Sequence, residues 1–559
     1  MSTLFLINCN LQKLSFSDSN FIESKFQRVL EMPTPQQLFE KFYFDRIQRF
    51  PNKWNYETGV SLIVLGNTEY NIEDFLTIQY RFFPTFNLKF VTLIDFIINW
   101  KQIIKRIQIE YNLCKLKIKR MNHWMHHHHP HHHDHHTTLV EGNHKDERCV
   151  NTKMENNDSS KAYRSCEYSI YTMLDHLTNL RSANNRSKCV IPKVICNIEF
   201  SAIVSNLEKD KESLPHSLED KDFYLKLFNS WDFSALNLTT RELIIGGYFL
   251  LNFLAQNAKI EISQNKLLLL LFTLESSYHQ VNKFHNFKHA IDVMQATWNL
   301  CQILLPENHE LTLLLCLAAI GHDIGHPGTN NSLFRDDSDL SISFKKTSIL
   351  ENFHFQTFHE VIKSIWPQVF ELSVKDATIR ESNKDITKKI ILATDMSLHD
   401  NYVNMLTQQK KSEITTMEIL SFIIKAADIS NVTRPLNISA KWAYLITLEF
   451  KDCFNLQTFN QSNKNEDFSC GDIPMMIDRE AEIDEDMNFE IELHNTIIKE
   501  PFQLSLLLKN YPMIPKGQLF FIDTFAYDFF DKLSTKFPEL KFLINNIKSN
   551  KEFWLSKVE

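Results

Sequence analysis

The chain has 559 residues, of which 43% are hydrophobic and 12% aromatic, so it can build a sizeable core and a wholly disordered protein is excluded. Its 60 Lys and Arg against 68 Asp and Glu give a net charge of -8, without the broad basic footprint of a nucleic-acid-binding protein. The 10 glycines, where ordinary usage would give about 39, contain no dinucleotide fingerprint and no phosphate-binding loop.

The cysteines and the N-terminus predict the cellular compartment. The 10 cysteines form no Cys-x-x-Cys pair, which is usual in a reducing compartment. Residues 1–8 lack the basic region and long apolar core of a signal peptide, and no run reaches about 18 apolar residues. We therefore expect a soluble protein of the cytoplasm, with the nucleus as a second location, and neither a membrane nor a nucleic-acid partner. These patterns leave the oligomeric state open.

Residues 1–122 have the pattern of a small α/β domain. The short apolar runs Leu4–Ile7 and Val60–Leu65 are typical of buried strands, and Phe96–Met121 has helical periodicity. No motif in this region indicates a role.

A histidine-rich linker is predicted over residues 123–165. His123–His136 contains ten of the 23 histidines, and such a biased composition predicts a disordered segment with incidental metal affinity. Helical patterns return over 166–230, which we interpret as a bridging segment.

From Trp231 onward the chain is predicted to be helical, because strand-like alternation is scarce. The region, about 310 residues long, suits one all-α domain. Within it, the polar and acidic stretch Gln461–Phe489 predicts a long surface loop. The predicted helices are Arg241–Ala255, Lys266–Tyr278, Ala290–Leu305, Leu311–Ile320 and Ile438–Phe450.

The first chemical motif contains two histidines and an acid. On a helix, His285, His289 and Asp292 would share one face. That face is either half of a metal site or a solvated polar surface.

The second motif follows an apolar helix. His322 and Asp323 come at its end, His326 lies three residues further, and Pro327 stops the helix. Ionisable groups beside an apolar helix are costly to bury unless they are paired or metal-bound. The motif therefore indicates groups that are either paired with each other or bound to a metal.

Two further carboxylates lie in apolar surroundings, Asp395 and Asp428. Taken singly, each is typical of a helix cap or a hydrogen-bond partner. Taken with the histidine motifs, they indicate ligands: imidazole and carboxylate suit zinc, whereas carboxylate and water suit magnesium or manganese.

Together these motifs resemble the class I 3′,5′-cyclic nucleotide phosphodiesterases, and within them the fungal high-affinity cAMP enzymes. His-Asn-x-x-His-Ala-x-Asp-Val is followed by His-Asp-x-x-His-Pro-Gly-x-x-Asn, Leu-Glu-Asn, Ala-Thr-Asp-Met-Ser and Ala-Asp-Ile-Ser-Asn. A sixth segment, Gly517–Asp523, is similar to the family's purine-binding segment. The resemblance covers residues 231–548 and implies an all-helical, metal-dependent catalytic domain, so the predicted fold is mainly α with a smaller N-terminal α/β domain.

The resemblance also implies roles for the site residues. One metal, zinc, is held by His289, His322, Asp323 and Asp428. A second metal, magnesium or manganese, shares Asp323 and is otherwise held through water that His326, Glu351 and Asp395 orient, with Asn352 and Thr394 in support. His285 is the general acid. The substrate contacts are Gln518, Phe521, Ile446, Asn431 and Asn331.

This set implies hydrolysis of 3′,5′-cyclic AMP to 5′-AMP, which lowers cAMP signalling. Two metals can acidify a bound water and neutralise charge on the phosphoryl oxygens. Histidine titrates in the range needed to protonate the leaving 3′-oxygen.

Five positions depart from the family's commoner pattern. Phe284 stands where the family commonly has tyrosine, and Gly325 where it commonly has an acidic residue. Phe353 and Lys425 each stand where histidine is common, and Ser439 where an aromatic residue is common. None is a predicted ligand or the predicted acid, so the departures concern pocket shape more than activity.

Two other functions stay open from the sequence. The chain could be a different His-Asp metal phosphohydrolase acting on nucleoside monophosphates, which the Gln518 segment disfavours. It could also be a catalytically silent regulator that binds cyclic nucleotides, which the intact set of ligands disfavours. Without the motif, Phe521 and Ile446 would be read as core and Gln518 as a surface residue.

Overall fold

A computed structural model describes residues 3–12, 14–48, 56–57, 59–67, 69–126, 165–186, 191–206, 220–334, 339–371, 379–462, 493–498 and 501–558. Within these ranges no helix combines the length and the apolar character needed to cross a bilayer. Most of the predicted linker lies outside the described residues, and its described residues, 123–126 and 165, are helical. The predicted surface loop also lies outside the described residues from residue 463 on.

A parallel sheet forms the centre of the N-terminal unit, residues 3–126. Its strands are β1 (Thr3–Ile7), β2 (Arg28–Met32), β3 (Ser61–Leu65) and β4 (Leu88–Thr92), in the order β2-β1-β3-β4. Thr3 of β1 lies opposite Arg28 on one side and Ser61 on the other. The two central strands are buried along their whole length, as expected when helices cover both faces of a parallel sheet.

The helices of the N-terminal unit and the segment after it precede the larger helical unit. They are α1 (Phe16–Ser24), α2 (Pro35–Gln48), α3 (Ile72–Phe82), α4 (Leu93–His126), α5 (Ser165–Arg186), α6 (Lys193–Cys196), α7 (Phe200–Asn206) and α8 (Lys221–Phe228).

The helical unit, residues 231–558, carries the predicted site. Its further helices are α9 (Thr240–Asn257), α10 (Gln264–Ser277), α11 (Phe287–Leu304), α12 (His309–Gly321), α13 (Asp339–Ser343), α14 (Ile349–Ile365), α15 (Asn383–Leu392), α16 (His399–Gln408), α17 (Thr416–Asp428), α18 (Leu436–Ser462), α19 (493–498), α20 (Leu504–Asn510), α21 (Ile514–Phe521), α22 (Tyr527–Lys536) and α23 (Lys541–Leu555). The predicted fold, mainly helical with a smaller N-terminal α/β region, is confirmed.

The two faces of the sheet pack into different cores, because successive side chains on a strand point to opposite faces. Leu4 and Leu6 join a separate core with α1 and α4. Phe5 and Ile7 belong to the same core as the helical unit. Across the junction, the ring of Tyr43 on α2 lies 5.3 Å from the ring of Phe272 on α10. The two units therefore share one continuous core.

Helix α5 connects the N-terminal unit with the helical unit. Arg81 of α3 donates a hydrogen bond to the Ala183 carbonyl at 3.0 Å. Asn184 donates to the Glu360 carboxylate of α14 at 2.9 Å. These contacts agree with a bridging segment, while the predicted domain boundaries remain a prediction.

Candidate active site

The turn before α11 places two predicted site histidines. Asn286 caps this helix by accepting a hydrogen bond from the Lys288 N–H, so the helix begins after His285. His289 lies in the first turn. The expectation that His285 and His289 share one helix face is therefore wrong, because the helix begins between them and His285 lies before its cap. Asp292 is also not on a metal-binding face, since it is buried against the Arg434 guanidinium at 3.2 Å.

The His-Asp motif lies where α12 ends. The helix is buried from Leu311 to Gly321, and His322 is its first residue beyond the last turn. Gly325 and Gly328 have φ of +72° and +77°, which L side chains rarely adopt, and this lets the chain turn back toward α10. The turn places Asp323 and His326 beside His322.

The four predicted ligands converge in the helical unit. His322 Nε2 lies 3.2 Å from both Asp323 Oδ2 and Asp428 Oδ1. His289 Nε2 lies 3.3 Å from Asp428 Oδ1 and 3.6 Å from Asp323 Oδ2. The four residues come from α11, the end of α12 and the end of α17, so only the tertiary fold brings them together.

This donor set fits a divalent metal ion. Among the described residues, the His289 Nε2 nitrogen is buried without a hydrogen-bond partner, which is costly unless a ligand meets it. His322 Nδ1 lies 2.7 Å from the Ala319 carbonyl, which places the proton on Nδ1 and leaves Nε2 free to ligate. Imidazole and carboxylate donors of this kind are typical of zinc sites.

A second group of possible ligands lies on the other side of Asp323. His354 Nε2 lies 3.8 Å from Asp323 Oδ1, and His354 Nδ1 lies 2.8 Å from the Ile324 carbonyl. The rings of His326 and His354 stack at 5.5 Å. Asp323, His326 and His354 could together hold an ion, and Asp323 faces both groups.

Two acidic side chains at this end of the site are held by hydrogen bonds. Asn331 donates to both oxygens of Glu351, at 3.2 and 3.1 Å. Ser348 Oγ donates to Asp395 Oδ2 at 2.6 Å. Burial and the charge of Asp395 raise the pKa of Glu351 to about 7. Such oxygen donors suit a hard cation that keeps much of its water.

The backbone beneath Asp395 is fixed by polar side chains. Thr394 donates to the Ile391 carbonyl at 2.8 Å. The buried Lys425 ammonium donates to the Ala393 and Asp395 carbonyls at 3.3 and 3.4 Å, and burial lowers its pKa to about 8. Lys425 thus holds the turn that carries Asp395.

Asn352 has the same kind of role at the start of α14. Its side chain donates to the Ser348 carbonyl at 3.0 Å and to the Thr347 carbonyl at 3.1 Å. It therefore fixes the backbone from which Glu351 projects.

A histidine–carboxylate pair stands beside the predicted ligands. His285 Nδ1 hydrogen-bonds to Glu449 Oε1, while Glu449 Oε2 accepts the backbone N–H groups of Phe284 and His285 at 2.7 and 3.1 Å. Burial opposes charge on His285, but Glu449 outweighs it and raises the His285 pKa to about 9. The ring stacks on that of His326 at 4.0 Å. An imidazole oriented by Glu449 thus lies beside the metal-binding groups.

Three of the five predicted substrate contacts lie on two helices that pack together, Ile446 on α18 and Gln518 and Phe521 on α21. Ile446 and Phe521 are half-buried, and Asn431 follows the ligand Asp428 in a short 3-10 turn. Gln518 is buried, and its Oε1 has no hydrogen-bond partner in the described part of the chain. A π-helical turn over Ile522–Ala526 comes directly after Phe521, a feature frequent at functional sites.

Comparison with known proteins decides the family. A family model for 3′,5′-cyclic nucleotide phosphodiesterases matches residues 284–505. The 3′,5′-cyclic-nucleotide phosphodiesterase 2 of Saccharomyces cerevisiae is 43% identical over 561 residues, covering 99% of each chain. The chain belongs to the class I 3′,5′-cyclic nucleotide phosphodiesterase family.

Two more comparisons place this phosphodiesterase among its relatives. The regA phosphodiesterase of Dictyostelium discoideum is 26% identical over 270 residues, 45% of this chain and 33% of its own. The crystal structure of yeast caPDE2 in complex with IBMX matches the whole of both chains with a TM-score of 0.70 at 22% identity, which shows the shared fold. The predicted enzyme class, a metal-dependent cyclic-nucleotide hydrolase, is confirmed.

The sequence reasoning missed two residues of the phosphodiesterase site, Glu449 and His354. Glu449 lies in the middle of α18, more than 160 positions from its partner His285, and carries no local motif. His354 is the second residue after the Leu-Glu-Asn motif, so its position in the chain was a usable signal.

Two departures from the family's pattern compensate each other in this phosphodiesterase. A Cβ added at Gly325 would lie 2.9 Å from the Phe353 ring. The centroid of the Phe353 ring lies 6.5 Å from that of the His176 ring on α5. The larger side chain at 353 thus occupies the space that the glycine leaves.

Replacing Gly325 by alanine is expected to destabilise the protein by about 1–2 kcal/mol, because the residue has a left-handed conformation that disfavours a Cβ. The Phe353 contact adds to this cost. Thermal unfolding of the variant and wild type measures the effect. Gly517→Ala is the matched control, since an added Cβ there meets nothing within 4 Å. Equal melting temperatures for the two variants would contradict the expectation.

Proposed function

We propose that this phosphodiesterase hydrolyses 3′,5′-cyclic AMP to 5′-AMP in preference to cyclic GMP, and so lowers cAMP signalling. The observation that carries the proposal is the convergence of His289, His322, Asp323 and Asp428 beside the His285–Glu449 pair. Charged donors for metal and a held proton donor are what cyclic phosphodiester hydrolysis needs.

Two divalent ions fit this site. The first, Zn²⁺, would be held by His289, His322, Asp323 and Asp428. The second, Mg²⁺ or Mn²⁺, would share Asp323 and be held otherwise through water near Glu351, Asp395 and His326. When bound, the ions supply Lewis acidity that lowers the pKa of water and offsets phosphoryl charge.

The chain's own residues supply the proton. Water adds to phosphorus as the bond from phosphorus to the 3′-oxygen breaks, and the leaving oxygen takes a proton from His285. Glu449 accepts the other ring N–H, which fixes the ring orientation and favours the charged imidazole. His285 is therefore the proposed general acid.

The preference for cAMP is proposed for the Gln518 segment. An amide can donate and accept, so it can pair with the edge of adenine. The buried, unpartnered Gln518 Oε1 supports this, since a substrate amino group would satisfy it. Phe521 and Ile446 would contact the two faces of the base, with Asn431 and Asn331 lining the pocket.

Side-by-side hydrolysis of cAMP and cGMP by the purified, metal-loaded chain tests the proposal. We expect rapid turnover of cAMP and slower turnover of cGMP. Cyclic-nucleotide binding without turnover would instead support a silent regulator, and release of phosphate from nucleoside monophosphates would support another His-Asp phosphohydrolase. Metal analysis of the same sample identifies the two ions.

Replacing Gln518 by alanine is expected to raise the KM for cAMP by about 10-fold or more, because a buried hydrogen-bonding contact to the base is lost. The kcat changes little, since the base is far from the bond that breaks. Steady-state kinetics measure both constants. Gln503→Ala, at an exposed amide, is the control, and an unchanged KM in Gln518→Ala would contradict the assigned contact.

The division of the chain is also proposed. Residues 231–548 form the catalytic domain, 1–122 the N-terminal α/β domain, 123–165 a linker and 166–230 the bridging segment. A cytoplasmic or nuclear location suits an enzyme that acts on a soluble second messenger.

A further inference from the structure

The C-terminal end of α10 and the turn after it, residues 275–282, lie between the N-terminal unit and the metal-binding turn. We call this stretch the α10 terminus. It holds no proposed ligand or substrate contact. Both the N-terminal unit and the metal-binding turn nevertheless form hydrogen bonds to it through buried groups.

On one side, Arg46 of α2 binds the α10 terminus. This arginine is 5% exposed. Its Nε donates to Glu275 Oε2 at 2.5 Å, and its second terminal nitrogen donates to the Glu275 and Tyr278 carbonyls at 3.0 and 2.7 Å. Its first terminal nitrogen donates to Glu57 at 3.0 Å. The Arg46 guanidinium is thus held by Glu57 of the N-terminal unit, and it holds the C-terminal end of α10 through Glu275 and Tyr278.

Two further contacts come from Phe82, the last residue of α3, and from Thr85 in the turn after it. Thr85 Oγ1 donates to the Ser276 carbonyl at 2.9 Å, and Ser276 Oγ donates to the Phe82 carbonyl. Glu57 also accepts the Gln280 backbone N–H at 3.0 Å.

On the other side, the α10 terminus binds the metal-binding turn. The Ser277 carbonyl accepts the Gly325 N–H at 3.0 Å, and Tyr278 Oη donates to the Ile320 carbonyl at 2.8 Å. These two bonds bracket His322 and Asp323 in the chain.

Asn282 connects the same stretch with the proton donor. Its side chain donates to the His326 carbonyl at 2.8 Å and to the His285 carbonyl at 2.9 Å. The α10 terminus is therefore bonded to the backbone at both the ligand turn and the proposed general acid.

The last carbonyls of a helix have no partner within the helix and need one from elsewhere. Here the carbonyls of Glu275 and Tyr278 receive bonds from Arg46, that of Ser276 from Thr85, and that of Ser277 from Gly325. One helix end is thus shared between the N-terminal unit and the metal-binding turn. A shift on one side moves the groups on the other.

We propose that the N-terminal α/β unit positions the catalytic centre through Arg46, which holds the α10 terminus and thereby the turn that carries His322, Asp323 and His326. Arg46 is a positioning residue, since it touches no proposed ligand or substrate. The inference rests on the metal site assigned above and gives the N-terminal unit a role in catalysis.

The test replaces Arg46 by methionine in the full-length chain. We expect kcat per folded molecule to fall by about 10-fold, the cost typical of lost support around metal ligands. KM for the cyclic nucleotide stays within about twofold. Calorimetric titration of metal-free protein with Mn²⁺ is expected to show weaker binding, and this measurement does not depend on turnover.

Arg81→Met is the matched control. Arg81 is a buried arginine of the same unit, 2% exposed, that donates to a carbonyl of α5 rather than of α10. Both variants are compared well below their melting temperatures. Wild-type kcat and Mn²⁺ affinity in Arg46→Met, or equal losses in the two variants, would overturn the proposal.

A second variant covers the case in which Arg46→Met does not fold, since it leaves Glu57 and Glu275 buried without their cation. Thr85→Val keeps the shape of the side chain and removes two bonds, the one that Thr85 Oγ1 donates to the Ser276 carbonyl and the one that it accepts from Arg46 at 3.2 Å. It is expected to lower kcat and Mn²⁺ affinity in the same direction by a smaller factor, and unchanged values would overturn the proposal. A wild type that binds Mn²⁺ but hydrolyses no cyclic nucleotide would overturn the proposed function, while the Mn²⁺ titrations would still decide this inference.

Discussion

Replacement of His322 by alanine is expected to lower cyclic-nucleotide turnover by about 10³-fold or more, because the site would lose a proposed metal ligand and the charge stabilisation that depends on it. His322 Nε2 faces two carboxylates at 3.2 Å and belongs with His289 and Asp428 to a group of side chains that could hold an ion. Initial rates measure turnover, and metal analysis of the purified variant is expected to show less bound divalent metal.

His309→Ala is the control for this experiment. His309 begins the helix that His322 ends, which puts the two residues about 20 Å apart. The control is expected to keep wild-type turnover and metal content. Full turnover in His322→Ala would remove the metal assignment, whereas loss in both variants would indicate damage to α12 instead.

Replacement of His285 by asparagine will lower kcat by about 10² to 10⁴-fold, the usual contribution of a positioned general acid. The metal content is expected to stay at the wild-type level, because His285 is not a proposed ligand. This combination separates the proton donor from the ligands. An unchanged kcat would show that another group protonates the leaving oxygen.

Glu449→Gln is expected to change the pH dependence of the same step. His285 donates only when protonated, and its pKa is raised to about 9, so kcat falls as the pH rises through that value. Without the Glu449 charge the pKa drops toward its ordinary range, and the fall in kcat moves toward neutral pH. Measured pH–rate profiles show the shift.

A matched control breaks another histidine–carboxylate pair. Glu360 lies 3.4 Å from His359 on α14, and Glu360→Gln is expected to leave the profile unchanged. A Glu449→Gln enzyme with the wild-type profile would contradict the role of Glu449.

Much of the fold could be predicted because its elements have strong local patterns. The continuous apolar runs at β1 and β3 predicted these two buried strands to within one residue. The edge strands β2 and β4 were missed, since Arg28–Met32 and Leu88–Thr92 mix polar and apolar residues and gain their partners only in the sheet. Strand pairing is a tertiary property that local periodicity does not contain.

The site was predictable where function places several side chains in one short segment. His322, Asp323 and His326 lie within five positions, and the structure brings the four predicted ligands together. Glu449 lacked any such signal, because a single acid on an amphipathic helix has the same pattern whether it faces solvent or a buried histidine. The cap at Asn286, which takes His285 off the helix, was readable in principle from its residue type.

The shared core has a consequence for how the chain is made. During synthesis β1 to β4 leave the ribosome before α9 and α10, which pack against α2 and α3 in contacts such as that between the rings of Tyr43 and Phe272. Aromatic residues of α2 and α3 therefore stay uncovered until about 180 further residues have emerged, a situation that exposes nascent chains to aggregation. The N-terminal unit is consequently expected to depend on chaperones until the helical unit has been synthesised. The two units are then expected to complete their folding together rather than one after the other.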